Sequence, residues 1–172
     1  MTDRKYQFSW DLLGDIAMGR PNLGPHIRLE VYRLMQFTMR DVIEKQMGTI
    51  KTDMLFYEAG KLAGGEFYKK FFSTVKDING FVKRLQETLR ELGMGILRVE
   101  KTDMEKGAFV LSVSEDIGCS GLPVLGYETC TYDEGFISGL FENFTGCAFK
   151  VKEVDCWCTG DRTCRFTAEM IN

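Results

Sequence analysis

The spacing of apolar residues changes from a helical to a strand period along this chain, and this change limits the folds open to it. No helix breaker occurs between residues 27 and 46, and apolar side chains recur three and four positions apart, at Val31, Leu34, Met35, Met39, Val42 and Ile43. The same criterion predicts helices over residues 52–72 and 78–92. From residue 95 onward, alternation with a period of two predicts strands over residues 95–101 and Ala108–Ser114.

The second half of the chain continues with another helix and another hairpin. We predict a glycine-rich loop over residues 118–126, a fourth helix over 129–144, and strands over 148–158 and 163–170. This order predicts an α+β fold, in which an antiparallel sheet of two hairpins packs against four main helices, most of them N-terminal. Residues 1–25 are interpreted as an irregular lead-in, extended or hairpin in form, and residues 26–172 as a single ligand-binding domain.

Two glycines lie one turn apart in the second predicted helix. Gly60 and Gly64 have no side chain, so another backbone can approach this side of the helix closely. The charged residues around them, Glu58, Lys61 and Glu66, argue against a membrane helix. We therefore expect a close helix contact at this position.

Composition and charge exclude several classes of protein. A chain of 172 residues with 44% hydrophobic residues suits one domain with a real core, and a net charge of −3 offers no general attraction for nucleic acid. The N-terminus lacks the apolar segment of a signal peptide, and no stretch approaches the roughly 18 apolar residues of a membrane helix. We therefore expect a cytoplasmic protein whose six cysteines are reduced, buried or metal-bound.

Cysteines are concentrated in the last predicted hairpin. Strand alternation places Cys156 and Cys158 on one face of its first strand, and Cys164 on one face of its second, so that Cys156 and Cys164 can converge. Thiolates are soft ligands that suit zinc, but this spacing favours a metal site no more than a buried cluster of reduced thiols. Cys119 and Cys147 lie outside this group and are interpreted as ordinary buried or free thiols.

Two stretches carry a resemblance to a known family. The run from Glu153 to Phe166 contains Glu, a Cys three residues later, Gly-Asp, and a Cys two residues before Phe, and it resembles the C-terminal motif of the 4-vinyl reductase (hydrocarbon-binding) domain family. Residues 55–64 resemble the helix motif of the same family. The resemblance covers residues 27–170. It implies a fold similar to that of TRAPP vesicle-tethering subunits, with an apolar tunnel and often a homodimer.

The resemblance also implies a zinc site. In zinc-binding members an earlier cysteine, matched here by Cys130, joins the Glu and the two Cys of the motif, which gives the ligands Cys130, Glu153, Cys156 and Cys164. A flat strand directs Glu153 and Cys156 to opposite faces, so this set requires a bulge or an early strand end, and geometry alone prefers Cys158 to Glu153. Four protein ligands leave no open position, so the implied zinc is structural.

Aromatic residues supply the candidates for the lining of a ligand tunnel. Helical and strand spacing explains most of the 13 Phe and 6 Tyr as core. The pocket candidates are Phe37, Tyr57, Phe67, Phe71, Phe109, Tyr132, Phe136 and Trp157. Phenol-sensing relatives hold the phenol hydroxyl with a His and a Trp, whereas the single His here, His26, lies at a predicted helix start. We therefore expect a more apolar ligand than phenol.

Three functions are compatible with these observations. The leading hypothesis is a domain that binds or senses a small hydrophobic molecule, carries zinc and acts through a signalling protein partner. The second, suggested by the family name, is an enzyme or accessory of tetrapyrrole metabolism, although the chain has no nicotinamide or flavin fingerprint and no catalytic residue is predicted. The third is a structural or adaptor homodimer, by analogy with the tethering subunits.

Overall fold

Helices dominate the first half of the chain. The computed structural model describes residues 4–171. In chain order, a 3-10 helix at Trp10–Leu13 and a single-turn helix at Ile16–Gly19 (α1) precede four long helices, at Leu29–Met47 (α2), Thr49–Phe71 (α3), Ile78–Glu91 (α4) and Thr131–Thr145 (α5). The four main helices are thus confirmed, with ends that differ from the predictions by at most three residues.

A four-stranded antiparallel sheet follows α4 and is completed after α5. Its strands are Ile96–Asp103 (β1), Ala108–Ser114 (β2), Phe149–Asp155 (β3) and Cys164–Met170 (β4), in the spatial order β1-β2-β4-β3. The two hairpins join through β2 and β4, whose register places Val113 opposite Cys164. The predicted α+β class and the sheet of two hairpins are confirmed.

The core lies between one face of this sheet and the helices α4 and α5. Phe141 of α5 has its ring centroid 4.7 Å from that of Phe109 in β2 and 5.2 Å from that of Phe149 in β3. Phe81 of α4 meets the same Phe141 ring at 6.0 Å. On the opposite, polar face Arg165 forms ion pairs with Glu100 and Asp155. One face is buried and the other is solvated, as antiparallel sheets commonly are.

Helix α3 packs against α5 through glycines on both helices. A Cβ atom at Gly60 would lie 2.0 Å from the carbonyl oxygen of Tyr132, and one at Gly64 would lie 2.1 Å from that of Phe136. The contact is reciprocal, because a Cβ atom at Gly135 of α5 would lie 2.0 Å from the carbonyl oxygen of Tyr57, and one at Gly139 would lie 2.2 Å from that of Lys61. The close contact expected at Gly60 and Gly64 is therefore present, and its partner is α5.

Helix α2 lies on the outside of the molecule with its apolar face uncovered. No residue of α2 is buried within the described part of the chain, and Leu34, Met35, Met39 and Val42 are all between 52% and 65% exposed. The helical spacing of apolar residues therefore predicted α2 correctly, but it did not show what packs against the apolar face of this helix. None of the described helices combines the length and apolar character needed to cross a bilayer.

Two local expectations differ from the structure. The lead-in contains two short helical turns in place of an extended or hairpin segment, and the Asp15 side chain caps α1 by accepting a hydrogen bond from the Met18 N–H at 2.9 Å. Residues 1–3 of the predicted lead-in and residue 172 of the predicted domain lie outside the described residues.

The first strand of the last hairpin is shorter than predicted. β3 ends at Asp155, with a register shift after Glu153, and a 3-10 helix follows at Trp157–Thr159. Cys156 and Cys158 therefore do not share a strand face, and that expectation is wrong. For Glu153 and Cys156 to meet, the flat strand had to be interrupted by a bulge or an early strand end, and the structure has both.

Candidate metal centre and adjoining cavity

Four cysteines from separate parts of the chain meet in the interior. Their sulfur atoms all lie within 4.8 Å of one another, and each residue is no more than 3% exposed. Cys119 comes from the loop between β2 and α5, Cys130 directly precedes α5, Cys156 follows β3, and Cys164 begins β4. The cluster therefore ties the beginning of α5 and the loop before it to the last hairpin.

The separations between the sulfurs suit a shared metal ion. The Sγ atom of Cys130 lies 3.9 Å from that of Cys156 and 3.7 Å from that of Cys164, while the Sγ atoms of Cys119 and Cys164 are 3.0 Å apart. Zinc–sulfur bonds of about 2.3 Å in a tetrahedral site place neighbouring sulfurs roughly 3.8 Å apart. Two of the three separations match this value, and the one between Cys119 and Cys164 is shorter.

A backbone hydrogen-bond donor favours the thiolate form of one cysteine of the cluster, Cys156. The Sγ atom of Cys156 accepts a hydrogen bond from the Thr159 backbone N–H, at the 3-10 helix that follows β3. Contacts with the thiols of Cys119, Cys130 and Cys164 also lower the pKa of Cys156, whereas the contacts of Cys130 with the three other thiols raise the pKa of Cys130. Among the four cysteines, Cys156 is thus the one whose thiolate form is favoured.

Glu153 lies directly beside the cluster. The residue is 2% exposed, and Oε2 accepts the backbone N–H of Cys130 at 3.1 Å, while Oε1 has no hydrogen-bond partner among residues 4–171. Burial, reinforced by the charge on Cys156, raises the pKa of Glu153 to about 8. The backbone of Glu153 is held in turn, because its N–H donates to Glu134 Oε1 at 2.8 Å.

The structure brings together three of the four predicted metal ligands and adds one that the sequence did not reveal. Cys130, Cys156 and Cys164 converge, with Glu153 adjacent to them, and the ligand set itself stays a prediction. The buried sulfur of Cys158, the open alternative, accepts from the Thr129 hydroxyl at 3.4 Å and lies outside the group of four. Cys119 was interpreted as an ordinary thiol. Its position depends on the pairing of β2 with β4, which brings the end of β2 beside Cys164, five residues before Cys119, and local sequence patterns do not reveal this pairing.

The loop that carries Cys119 is held from two sides. Asp116 Oδ1 accepts the backbone N–H groups of Gly118 at 2.7 Å and of Cys119 at 3.0 Å. From α2, the Arg33 guanidinium donates to the carbonyl oxygens of Asp116, Ile117 and Ser120 at 3.3, 2.8 and 2.8 Å. These bonds fix the turn that presents the Cys119 sulfur to the cluster.

An apolar cavity of about 50 Å³ adjoins the cluster. Most of its wall is apolar and comes from α4, the sheet and α5, including Leu85, Leu89, Leu97, Leu111, Phe136, Leu140 and Phe166. Two carboxyl groups, those of Asp116 and Asp133, also line it and lie within 4.8 Å of each other and of the Cys130 sulfur. Burial raises the pKa of both, and the proximity of Asp116 and Glu153 raises that of Asp133 further.

The eight aromatic pocket candidates occupy different environments. Phe136 lines the cavity, and Phe37 faces an open cleft of about 700 Å³ between α2 and residues 122–129. Phe67 and Phe71 pack with Trp10, and Phe109 packs with Phe141. Tyr57 and Tyr132 contribute their backbone carbonyl oxygens to the close contact between α3 and α5. The Nε1–H of Trp157 donates to the Leu122 carbonyl oxygen at 2.8 Å. A ligand contact for any of the eight stays a prediction.

Comparison with known proteins locates a domain over the part of the chain that forms the cluster. Residues 109–170 match the V4R domain. This V4R segment holds β2, the Cys119 loop, α5 and the last hairpin, and therefore all four clustered cysteines. The resemblance to the 4-vinyl reductase domain family is confirmed over these residues, which include the C-terminal motif, whereas the helix motif at residues 55–64 lies outside the match.

One sequence relative and three solved structures extend the similarity beyond the V4R segment. An uncharacterized protein of Methanocaldococcus jannaschii is 27% identical over 151 residues, which covers 87% of this chain and 82% of the relative. Among solved structures, the phenol-responsive sensory domain of the transcription activator PoxR, with phenol, gives a TM-score of 0.63 at 14% identity, covering 84% of this chain and 75% of that one.

The other two structures agree on the fold. A vinyl-4-reductase family protein of Methanocaldococcus jannaschii gives a TM-score of 0.62 at 15% identity, covering 91% of both chains. A trafficking protein particle complex subunit 3 from Naegleria fowleri, covalently bound to palmitic acid, gives 0.62 at 12% identity, covering 84% of this chain and 95% of that one. The predicted likeness to tethering subunits is confirmed at the level of the fold.

Proposed function

We propose that the protein is a small-molecule-binding module, in which a hydrophobic ligand occupies the cavity between α4, α5 and the sheet and a zinc ion at the cysteine cluster braces one wall. The observation that carries this proposal is the shared wall. Asp116 and Asp133 line the cavity and also lie within 4.8 Å of the Cys130 sulfur. A ligand that moves this wall therefore acts on the same residues that hold the metal site together.

The chemistry of the cavity favours a small, mainly apolar ligand. Its wall is mostly aliphatic and aromatic, with two carboxyl groups as the polar contacts, which is the usual composition of a small-molecule site. Its volume of about 50 Å³ is smaller than the roughly 150 Å³ of an engineered apolar cavity that binds benzene. Binding of a ring-sized ligand therefore requires the wall to move outward. The PoxR domain, which is phenol-responsive, supports sensing as a use of this fold.

The cluster has the properties of a structural zinc site. Its thiols are buried, their sulfurs are close enough to share one ion, and a backbone N–H donates to Cys156. Zinc bound there supplies a crosslink between α5 and the last hairpin, and with four protein ligands it has no position for substrate. We expect Cys130, Cys156 and Cys164 to hold it, with a fourth donor from Glu153 or Cys119.

A second copy of the chain is the proposed partner for α2. The exposed apolar side chains of this helix form a face that nothing covers within the described residues, and the family resemblance implies a homodimer. We expect a signalling protein to respond to whether the cavity is occupied. We also expect the protein to be located in the cytoplasm. The tetrapyrrole alternative gains no support from the cavity, which is far too small for such a ring.

Ligand binding at the cavity can be tested by filling it. Leu89 of α4 lines the cavity and is 8% exposed, whereas Leu92 lies three residues later and is 52% exposed. We expect benzene, toluene or naphthalene to raise the Tm of the wild type, Leu89→Phe to abolish this increase, and the control Leu92→Phe to retain it. Leu89→Ala should shift the preference toward the larger rings.

Two outcomes would contradict ligand binding at this cavity. A wild type whose Tm responds to no member of the aromatic series contradicts the binding proposal. An unchanged response in both Leu89 variants places the ligand elsewhere, and the open cleft beside Phe37 then becomes the site to examine.

A further inference from the structure

We propose that Cys119 is the fourth metal ligand and that the site is a tetrathiolate, with Glu153 outside it as a hydrogen-bond acceptor. This inference rests on the proposed zinc site and departs from the ligand set that the family resemblance implies. Within the described residues, the sulfurs of Cys119, Cys130, Cys156 and Cys164 all lie within 4.8 Å of one another. In residues 4–171, no group of three or more ligand atoms that are mutually this close includes the Glu153 carboxylate.

Glu153 already has a structural role that needs no metal. Its Oε2 accepts the N–H of Cys130, the residue that precedes α5, and so satisfies a backbone donor at the beginning of that helix. Its backbone N–H is bonded to Glu134 within α5, which holds the strand against the helix. Through Oε2 the carboxylate therefore supports the position of Cys130, and it lies outside the group of four sulfurs.

Cys119 is placed for ligation by bonds that do not involve the metal. The Asp116 carboxylate accepts its backbone N–H, and the Arg33 guanidinium holds the carbonyl oxygens on either side. Its side chain is 1% exposed and its sulfur lies 3.0 Å from that of Cys164. A fourth soft thiolate at this position matches the preference of zinc for sulfur and closes the coordination sphere.

Ligation by Cys119 would connect the metal to the wall of the cavity. Asp116 and Ile117, three and two residues before Cys119, both line the cavity, and Arg33 links the same loop to α2. A ligand that displaces this loop would therefore change the affinity for the metal, and by linkage the metal would change the affinity for the ligand by the same factor.

Cobalt substitution distinguishes the two ligand sets. The full chain, stripped of metal and kept reduced, is titrated with Co²⁺, and the sulfur-to-cobalt charge-transfer absorbance per bound cobalt is compared among the wild type, Cys119→Ser, Glu153→Gln and Cys147→Ser. Cys147 is exposed and serves as the thiol control. We expect Cys119→Ser to lower this absorbance to about three quarters of the wild-type value, because one of four thiolates is lost, and the other two variants to match the wild type.

A second substitution covers the case in which Cys119→Ser does not fold. Cys119→His retains a donor, so the proposal expects bound cobalt with reduced charge-transfer intensity and shifted visible bands. Unchanged absorbance in both Cys119 variants, or a loss confined to Glu153→Gln, overturns the assignment while leaving the metal site intact. A thiol titration of the metal-free, unreduced chain that finds four reactive thiols in place of six, with Cys119 and Cys164 linked, also overturns it. If the wild type binds neither cobalt nor zinc, the proposed metal site itself is contradicted.

Discussion

At the scale of single residues, the cluster shows which information the sequence carries and which it lacks. Cys130, Cys156 and Cys164 could be assigned from a motif, because their positions depend on a short hairpin and on the beginning of one helix. Cys119 could not, because its position depends on Asp116 and on Arg33, which lies more than 80 residues earlier in the chain. A loop held by a distant side chain leaves no periodic signal.

Arg33 provides a direct test of how this loop is held. Replacing it with Met removes three hydrogen bonds to carbonyl oxygens, and we expect a loss of about 2 kcal/mol in the free energy of unfolding together with faster release of zinc to a chromogenic chelator. The matched control is Arg28→Met, since Arg28 pairs with Glu30 at an 82% exposed position. Equal zinc release from both variants would show that Arg33 does not hold the loop.

At the scale of elements, close helix packing was easier to predict than helix partners. Gly60 and Gly64 indicated a close approach in α3, and the matching pair in α5, Gly135 and Gly139, has the same spacing. The two pairs together would have identified the partner helix. The end of β3 was harder, because a register shift and the 3-10 helix beyond it interrupt the alternation on which strand prediction depends.

The contact between α3 and α5 predicts a large effect for a small substitution. A Cβ atom in Gly64→Ala would lie 2.1 Å from the Phe136 carbonyl oxygen, so the helices must separate, and we expect a loss of roughly 3 kcal/mol in the free energy of unfolding in urea. Gly19→Ala is the control, because its Cβ has no neighbour within 4 Å, and its effect should stay within about 0.5 kcal/mol. Similar midpoints for both variants would contradict the packing described.

At the scale of the whole molecule, the sheet and its helix layer could be predicted from the order of elements. The pairing of the two hairpins and the partner of α2 could not. Two hairpins predict an antiparallel sheet, yet the pairing of β2 with β4 depends on contacts between Ala108–Ser114 and residues more than 50 positions later. The apolar stripe of α2 likewise predicts burial without naming a partner. Both features depend on long-range contacts that local periodicity does not encode.

The uncovered face of α2 leads to a prediction about assembly. If this face pairs with a second copy, Leu34→Glu places a charge in the contact and should convert a dimer to a monomer, as measured by light scattering after size exclusion. Met104→Glu is the control, because Met104 is 59% exposed in the turn between β1 and β2. A wild type with the mass of one chain at micromolar concentration would contradict the proposed dimer.

Zinc binding by the buried cysteine cluster can be measured as the metal content of the full chain purified under reducing conditions without chelators. We expect one zinc per chain, and a large fall in Tm once it is removed, because structural zinc contributes about 10–16 kcal/mol in small domains. Recovery of a folded, metal-free protein with six titratable thiols, and no change in Tm on adding zinc, would contradict it.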